Sequence, residues 1–540
     1  LRSFFELEPG DLVVHAVHGL ARYAGLVRMD RAGGEEEHLH LLFEADVSLY
    51  VPSSRIDLVQ RYVGTGGGPP KLDKLGGGAF RRRQEKVGRA VLDLAADLLE
   101  VQALRETRKR PAWNAPPELV RDLLAAFPYE DTPDQRSVTE ELERELTGER
   151  PMDRLLCGDV GFGKTEVAMR AVFRVVAGGG QAAVLVPTTV LAEQHLATFR
   201  ERFAAFPVRV ECLTRLEAGS SVKATLEGVE SGAVDVLIGT HRILSKDVRF
   251  RRLGLVVVDE EQRFGVVHKE KLKTLRSAVD VLTLSATPIP RTLHMSLAGV
   301  RDISALSVPP IGRQDVETHL AYREDRALVR DVLLREKHRG GQAFFLHNRV
   351  QSIEIVVREL EALVPECRFV FGHGQMGGRE LERVMRTFTR GDADVLVSTT
   401  IVENGIDIPA AGTILIDEAD RFGLAELHQL RGRVGRGQQR AWCYLLVDRS
   451  KPLSHVARER LKALEELCHL GAGFQISMKD LELRGAGNLL GPEQSGHIAA
   501  VGYDMYCRLL AQTVERLRSG ALPAAGARAA ELAAEVVDQA

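Results

Sequence analysis

Residues 158–165 read GDVGFGKT, a G-x-x-x-x-G-K-[ST] loop set between the apolar run RLLC and the helical run TEVAMRAVFRVV. In that setting the glycines let backbone N–H groups approach phosphates at a helix N-terminus. Gly158, Asp159, Val160, Gly161, Phe162 and Gly163 are expected to line a nucleotide. Lys164 is expected to reach its β- and γ-phosphates and Thr165 to hold Mg²⁺. Magnesium also needs a carboxylate at a strand end, and two segments offer one: VVVDEEQ (256–262) and ILIDEAD (414–420). The first lies in the same half of the chain as the loop. Asp259 is therefore assigned to Mg²⁺ and Glu260 to activating the attacking water. Asp417 and Glu418 are read as structural or as contacts between halves. QLRGRVGR (429–436) supplies Arg433 and Arg436. A guanidinium on the γ-phosphate charge that builds during hydrolysis is typically worth roughly 10³–10⁵ in rate. Coming from the second half, it would make ATP hydrolysis depend on closure of the two halves.

These groups need a scaffold, and the sequence spells out an α/β one. Between 117 and 310, RLLCGDVG, AAVLVPTT, VDVLIGTH, LGLVVVDEE and VDVLTLSAT are apolar runs separated by helical stretches. That is the pattern of a mostly parallel sheet. SVPPIGR (307–313) reads as a linker. QAFFLHN, CRFVFGHG, ADVLVSTT, GTILIDEAD and WCYLLVD then repeat the pattern over 311–455. The expectation is two tandem α/β lobes. Ahead of them, 1–65 alternates apolar and polar residues around Gly and Asp turns, as in a small β-barrel. Residues 66–116 hold a glycine-rich linker and a long helix of about 80–109, with Val87, Val91, Leu94, Leu98 and Val101 on one stripe. Residues 456–520 turn helical, and 521–540 form an alanine-rich tail.

Composition narrows the function classes. Of 540 residues, 44% are hydrophobic and 27% charged, which is ordinary for a globular chain. No apolar run approaches the roughly 18 residues of a membrane span, so no membrane role is expected. Six scattered cysteines without a C-x-x-C argue against a disulfide framework or a zinc site and fit a reducing cytoplasm. A net charge of −3 leaves nucleic-acid binding to local basic patches. His15-x-x-His18 and His38-x-His40 have ligand-like spacing, but no Cys or carboxylate set accompanies them, so they read as surface or barrel-packing residues. The chain starts at Leu1 and is expected to be a piece of a longer protein.

In order, PDQ (133–135), GDVGFGKT, PTTVLAEQH (187–195), GTHRIL (239–244), DEEQ (259–262), SATPIPRTL (285–293), STTIVENGIDIP (398–409) and QLRGRVGR resemble the motifs of superfamily 2 helicases and translocases. The resemblance implies two RecA-like lobes. It implies that Gln135, with Phe127, recognises adenine and that Gly405 and Asp407 lie at the nucleotide. It implies that Ser285 and Thr287 couple hydrolysis to motion. Thr188, Thr189, Thr240, His241, Arg242, Thr399 and Thr400 would contact nucleic-acid backbone, which positions without reading sequence.

Residues 471–506 contain Gly485, Gly487 and Gly491, which miss the G-x-G-x-x-G fingerprint by one place. The segment resembles instead a helical hairpin shared by RecG-type branch-migration enzymes and the bacterial transcription-repair coupling factors. That implies translocation on double-stranded DNA, with Arg484 and Gln494 at the hairpin's polar positions. ELEPGDLVVHAVHGLARYAGL (6–26) and LYVPSSRIDLVQRYVG (49–64) resemble the polymerase-interacting domain of the coupling factors. Residues 1–65 would then offer an edge strand to the RNA polymerase β subunit. The implied function is displacement of stalled transcription complexes, coupling transcription to DNA repair; a RecG-like fork remodeller is the alternative. Gln262 departs from the family's usual His. No counterpart of the family's N-terminal repair-subunit-like region or C-terminal autoinhibitory domain is seen. The expectation is an unrestrained ATPase that does not itself bind the damage-recognition protein.

Overall fold

The computed structural model describes residues 7–31, 34–62, 71–107, 109–214, 219–261, 264, 268, 272, 279–286, 302–400, 408, 410–435, 439–484, 501 and 503–518. They divide into two units, one of residues up to Ala103 and from Met478, the other from Leu104 to Ser477.

In the first unit, β1 (Leu12–His15), β2 (Gly19–Arg31), β3 (Gly34–Leu42), β4 (Ser48–Pro52) and β5 (Val59–Arg61) form an antiparallel sheet in the order β4-β3-β2-β1-β5. Leu39 and Leu41, two apart on β3, point to one face and pack with Val13, Tyr23, Phe43 and Val51. The hydrogen-bonded order leaves β4 and β5 as its edges. His15 Nδ1 accepts from the N–H groups of Val17 (3.2 Å) and His18 (3.3 Å), closing the β1–β2 turn. Burial, then the nearby His18 and Arg55, lowers the His15 pKa to about 4, as this acceptor role requires. His40 stacks on Tyr50 at 4.7 Å. The histidine spacing thus serves turn and surface packing. Helix α1 (Gly78–Thr107) buries Val87 and Val91 of the expected stripe. Its first turns are tied to the sheet by Asp73, which accepts from Leu20 N (2.8 Å) and from Arg83 (2.6 Å).

The second unit holds both lobes. Lobe 1 consists of α2 (Pro117–Ala125), α3 (Pro133–Leu146), β6 (Asp153–Gly158), α4 (Lys164–Ala177), β7 (Gln181–Leu185), α5 (Thr189–Arg202), β8 (Val210–Leu213), α6 (Gly219–Ser231), β9 (Val236–Gly239), β10 (Leu253–Asp259), β11 (Asp280–Ser285) and β12 (Asp302–Leu306). The seven strands are parallel, in the order β12-β6-β11-β10-β7-β9-β8. The central strands are buried on both faces, which is why apolar residues dominate them on both sides rather than in alternation.

Lobe 2 consists of β13 (Val316–Tyr322), α7 (Arg326–His338), β14 (Gln342–Leu346), α8 (Ile353–Leu363), β15 (Phe369–Gly372), α9 (Gly378–Thr389), β16 (Val395–Ser398), β17 (Ala411–Ile416), α10 (Leu424–Arg431), β18 (Ala441–Val447) and α11 (His455–Glu466). Its six strands are also parallel, in the order β13-β18-β17-β14-β16-β15. Helices α12 (Gly473–Arg484) and α13 (Tyr503–Arg518) follow; the segment between them, with Gln494, lies outside the described residues.

Lobe 1 is locked at its base by one buried carboxylate. Asp280, at the start of β11, is fully buried and accepts from Arg110 Nε (2.9 Å), Trp113 Nε1 (2.8 Å) and Met152 N (2.6 Å). The Trp113 ring fills space at Gly180 and Gly254 where no Cβ would fit. A buried charge is tolerated only when paired and hydrogen-bonded. Trp113→Phe keeps most of the ring but removes one donor. It is expected to lower stability by roughly 1.5–3 kcal/mol, the range for a hydrogen bond to a charged group. A urea melt followed by circular dichroism checks this; an unchanged midpoint would mean Arg110 and Met152 suffice.

Candidate active site

The carboxyl ends of β6, β10 and β11 meet at one edge of the lobe 1 sheet, where open α/β sheets place their ligands. The phosphate loop leaves β6 there. Gly161 (φ +81°) and Gly163 (φ +86°) adopt the left-handed backbone that other residues avoid, and Gly163 caps α4. Gly158 is constrained differently, since a Cβ would press on Leu306 of neighbouring β12. The Lys164 ammonium donates to the carbonyls of Gly158 (2.6 Å) and Asp159 (2.9 Å). Burial lowers its pKa against the opposing pull of Glu260, Asp259 and Asp159.

A cavity of about 290 Å³ opens over the loop, lined by Gly161, Lys164, Thr165, Asp259, Glu260 and Arg433, with Gln194 and His195 of α5. Asp259 closes β10. Its Oδ2 lies 3.3 Å from His195 Nε2, a partner that no spacing in the sequence disclosed. Glu260 takes φ +52°, a strained value for a residue with a side chain, and its N–H donates to Leu284 O of β11 (3.1 Å). Arg433, just past α10 of lobe 2, is 4% exposed and reaches this lobe 1 cavity. Ser285 ends β11 between the cavity-lining Leu284 and Ala286, and is buried.

Other expected residues are placed differently. Gln135 sits in the first turn of α3. Its side-chain oxygen accepts from Thr132 N (3.0 Å), completing a capping box, and its amide donates to Phe162 O (2.9 Å). Both ends of the amide are thus engaged, one of them on the phosphate loop. Phe127 lies under two guanidinium groups, Arg170 at 5.0 Å and Arg202 at 5.6 Å. Arg313, in the linker between lobes, donates to Val160 O and lies 5.6 Å from the Phe162 ring centre. Thr188 caps α5 by accepting from Leu191 N (3.3 Å), and Thr189 begins that helix. Thr240, His241 and Arg242 follow β9, with Arg242 held by Asp247 at 2.7 and 2.5 Å. Thr399 and Thr400 follow β16. Arg436, Gly405, Asp407, Thr287, Gln494 and Gln262 lie outside the described residues; Arg484 ends α12.

The second carboxylate pair repeats the backbone of the first without its setting. Glu418, after β17, also has a left-handed φ (+50°). Asp417 is buried against His347 Nδ1 (2.7 Å), and Glu418 pairs with Arg349 (2.5 Å) and Arg421 (3.3 Å). Both carboxylates thus have their partners within lobe 2.

Among the described residues no group of three or more His, Cys, Asp or Glu side chains could hold a metal. Thr165 and Asp259, which both line the cavity, offer the one hydroxyl and one carboxylate used by a Mg²⁺ that is otherwise held by substrate phosphates. No helix among the described residues is long and apolar enough to cross a membrane.

Comparison with known proteins matches residues 132–296 to the DEAD/DEAH box helicase family, 324–438 to the helicase conserved C-terminal domain and 7–63 to the CarD-like/TRCF RID domain. The transcription-repair-coupling factor of Bacillus subtilis (strain 168) is 48% identical over 515 residues, 95% of this chain and 44% of that protein. Its counterpart in Haemophilus influenzae is 49% identical over 523 residues, 97% of this chain and 46% of that protein. The chain thus spans about half the length of the curated relatives it matches. Among solved structures, RecG bound to a three-way DNA junction superposes with a TM-score of 0.69 at 33% identity, covering 83% of this chain and 58% of that one. S. cerevisiae Dbp5 bound to RNA and ADP BeF3 shares the two-lobe fold alone, with a TM-score of 0.51 at 16% identity over 69% of this chain and 98% of that one.

Proposed function

The chain belongs to the transcription-repair-coupling factor family over the stretch it shares with those proteins, and on that premise we propose that it is an ATP-driven translocase on double-stranded DNA. In this reading it grips RNA polymerase and pushes stalled transcription complexes off the DNA, linking transcription to repair. The observation that carries the motor is the cavity in which Arg433 of lobe 2 faces Lys164, Thr165, Asp259 and Glu260 of lobe 1. Residues 117–310 and 311–455 act as the two motor lobes and 456–520 as the translocation element. Residues 66–116 are the linker and relay helix, 521–540 a tail. Residues 1–65 would hold the polymerase β subunit through an edge strand.

Each group has a distinct task. Lys164 exchanges the Gly158 and Asp159 carbonyls for the β- and γ-phosphates. Thr165 and Asp259 would hold Mg²⁺, which neutralises phosphate charge when bound. His195 orients the Asp259 carboxylate. Glu260 accepts the proton of the attacking water, and Arg433, with Arg436, meets the charge that grows on the γ-phosphate. Gln135 keeps a second N–H and a second lone pair for adenine, and its bond to Phe162 O ties base binding to the phosphate loop. Ser285 and Thr287 would pass hydrolysis on to motion, and Arg484 and Gln494 to DNA. Thr188, Thr189, Thr240, His241, Thr399 and Thr400, at strand ends of both lobes, would meet DNA backbone; Arg242 would join them by leaving Asp247. Such work on genomic DNA belongs in the cytoplasm.

A triplex-displacement assay on linear duplex with ATP tests the motor. Triplex release is expected with the whole chain and also after removal of residues 1–65, whereas polymerase displacement is lost with them. No triplex release by the whole chain, or turnover stimulated only by forks without polymerase binding, would refute the reading.

A further inference from the structure

One side chain of the phosphate loop faces away from the chemistry just assigned. Asp159 does not line the nucleotide cavity; it lines a separate hollow with Val160, Phe162, Arg313, His428 and Leu470. There it is 8% exposed and collects two donors from beyond lobe 1. Oδ1 accepts from His428 Nε2 on α10 (3.4 Å), and Oδ2 accepts from the N–H of Gly473, the first residue of α12 (3.2 Å).

The second ring nitrogen fixes the direction of this chain of bonds. His428 Nδ1 lies 3.1 Å from Arg431 Nη2, and a guanidinium can only donate. His428 is therefore the neutral tautomer with its proton on Nε2, aimed at Asp159. Burial, which lowers the His428 pKa, acts the same way. Burial opposes ionisation of Asp159. The His428 and Gly473 bonds and Lys164 outweigh it and hold its pKa below the ordinary carboxylate value. Arg431 Nη1 in turn donates to Leu464 O of α11 (2.9 Å). One carboxylate thus gathers α10, α11 and the start of α12.

The fit at α12 is close, since a Cβ on Gly473 would overlap Asp159 Oδ1 and force the carboxylate to shift. On the loop side, the Asp159 carbonyl also holds the Lys164 ammonium (2.9 Å). Main chain and side chain of one residue therefore join the phosphate-seeking lysine to the helix that leads into 485–500.

We propose that Asp159 is a positioning residue, a clamp that reports the state of the phosphate loop to α12 through Gly473 and to lobe 2 through His428. When Lys164 leaves the Asp159 carbonyl for a phosphate, the loop backbone resets, the carboxylate shifts, and its two donors move or part. The inference rests on the translocase reading for its purpose, but not for its geometry.

Two variants break the clamp from opposite ends. Asp159→Asn keeps size and one acceptor but sets an N–H₂ group against a donor. Gly473→Ala drives a methyl into the carboxylate from outside the nucleotide cavity. Each is expected to lower duplex-stimulated ATP turnover about tenfold, the scale of one charge-assisted hydrogen bond, with the distance moved per ATP falling too. Affinity for a fluorescent ATP analogue should hold within about twofold, and the double variant should lose no more than either single one. Amide exchange over residues 472–477 should rise in both. Nucleotide affinity that falls as far as turnover in Asp159→Asn, normal coupling in Gly473→Ala, or unchanged exchange would each overturn the clamp. A wild-type chain whose turnover ignores duplex DNA would refute the translocase reading instead, and the exchange result would still decide whether the clamp exists.

Discussion

Arg433→Ala is expected to slow ATP turnover by roughly 10³–10⁵-fold, the worth of a guanidinium on a transferring phosphoryl group, while leaving nucleotide bound. The size follows from position. Among the described residues that line the cavity, Arg433 is the side chain from lobe 2, and it is almost wholly buried. Out of bulk water, its field on a developing charge is little screened. Ground-state ATP carries less charge at the transferring oxygens, so the loss falls on kcat rather than on binding. Arg433→Lys should recover only part of the rate, because an ammonium lacks the planar fork that spans two oxygens. Single-turnover hydrolysis with duplex present reads both. A loss of less than about tenfold for Arg433→Ala would move the role to Arg436.

What the sequence disclosed and what it hid follow from burial and from distance along the chain. Ten strands of the two lobes were legible as apolar runs. The three that were not, β8, β12 and β13, all lie at sheet edges. There one side lacks a neighbour, and β13 alternates buried and exposed residues at its start where central strands stay buried throughout. The phosphate loop and Asp259-Glu260 were legible because local backbone demands fix their residue types: glycines at positive φ, carboxylates at a strand end. Side-chain partners were not. His195 meets Asp259 only because β10 and β7 are neighbours in the sheet, and nothing local to either residue records that. Asp159 is expected at the nucleotide as part of a loop that works through backbone N–H groups; the partners of its carboxylate lie 269 and 314 positions later, where no local pattern points. For Gln135 and Phe127, expected at adenine, the sequence likewise hid the partners: Gln135 bonds the loop backbone and Phe127 lies under Arg170 and Arg202.

Glu260→Gln is expected to cut steady-state hydrolysis by roughly 10²–10⁴-fold, the usual weight of a positioned general base, with ATP affinity and fold preserved. Gln has nearly the same shape, and the backbone bond from residue 260 to Leu284 O does not involve the side chain. Position 260 allows a sharper test, because function and stability pull it in opposite directions. Its φ of +52° suits glycine far better than glutamate. A strained residue at a reaction centre persists only when the surroundings hold it and the chemistry needs it. Glu260→Gly should relieve that strain and leave the protein as stable as before, or more stable by about 1 kcal/mol, while turnover falls as far as in Glu260→Gln. Thermal melting and hydrolysis on the same preparations separate the two effects. A Glu260→Gly chain that is both active and more stable would show that the strained carboxylate is not the base. One that is inactive yet no less stable would tie the left-handed backbone at Glu260 to placing its carboxylate on the attacking water.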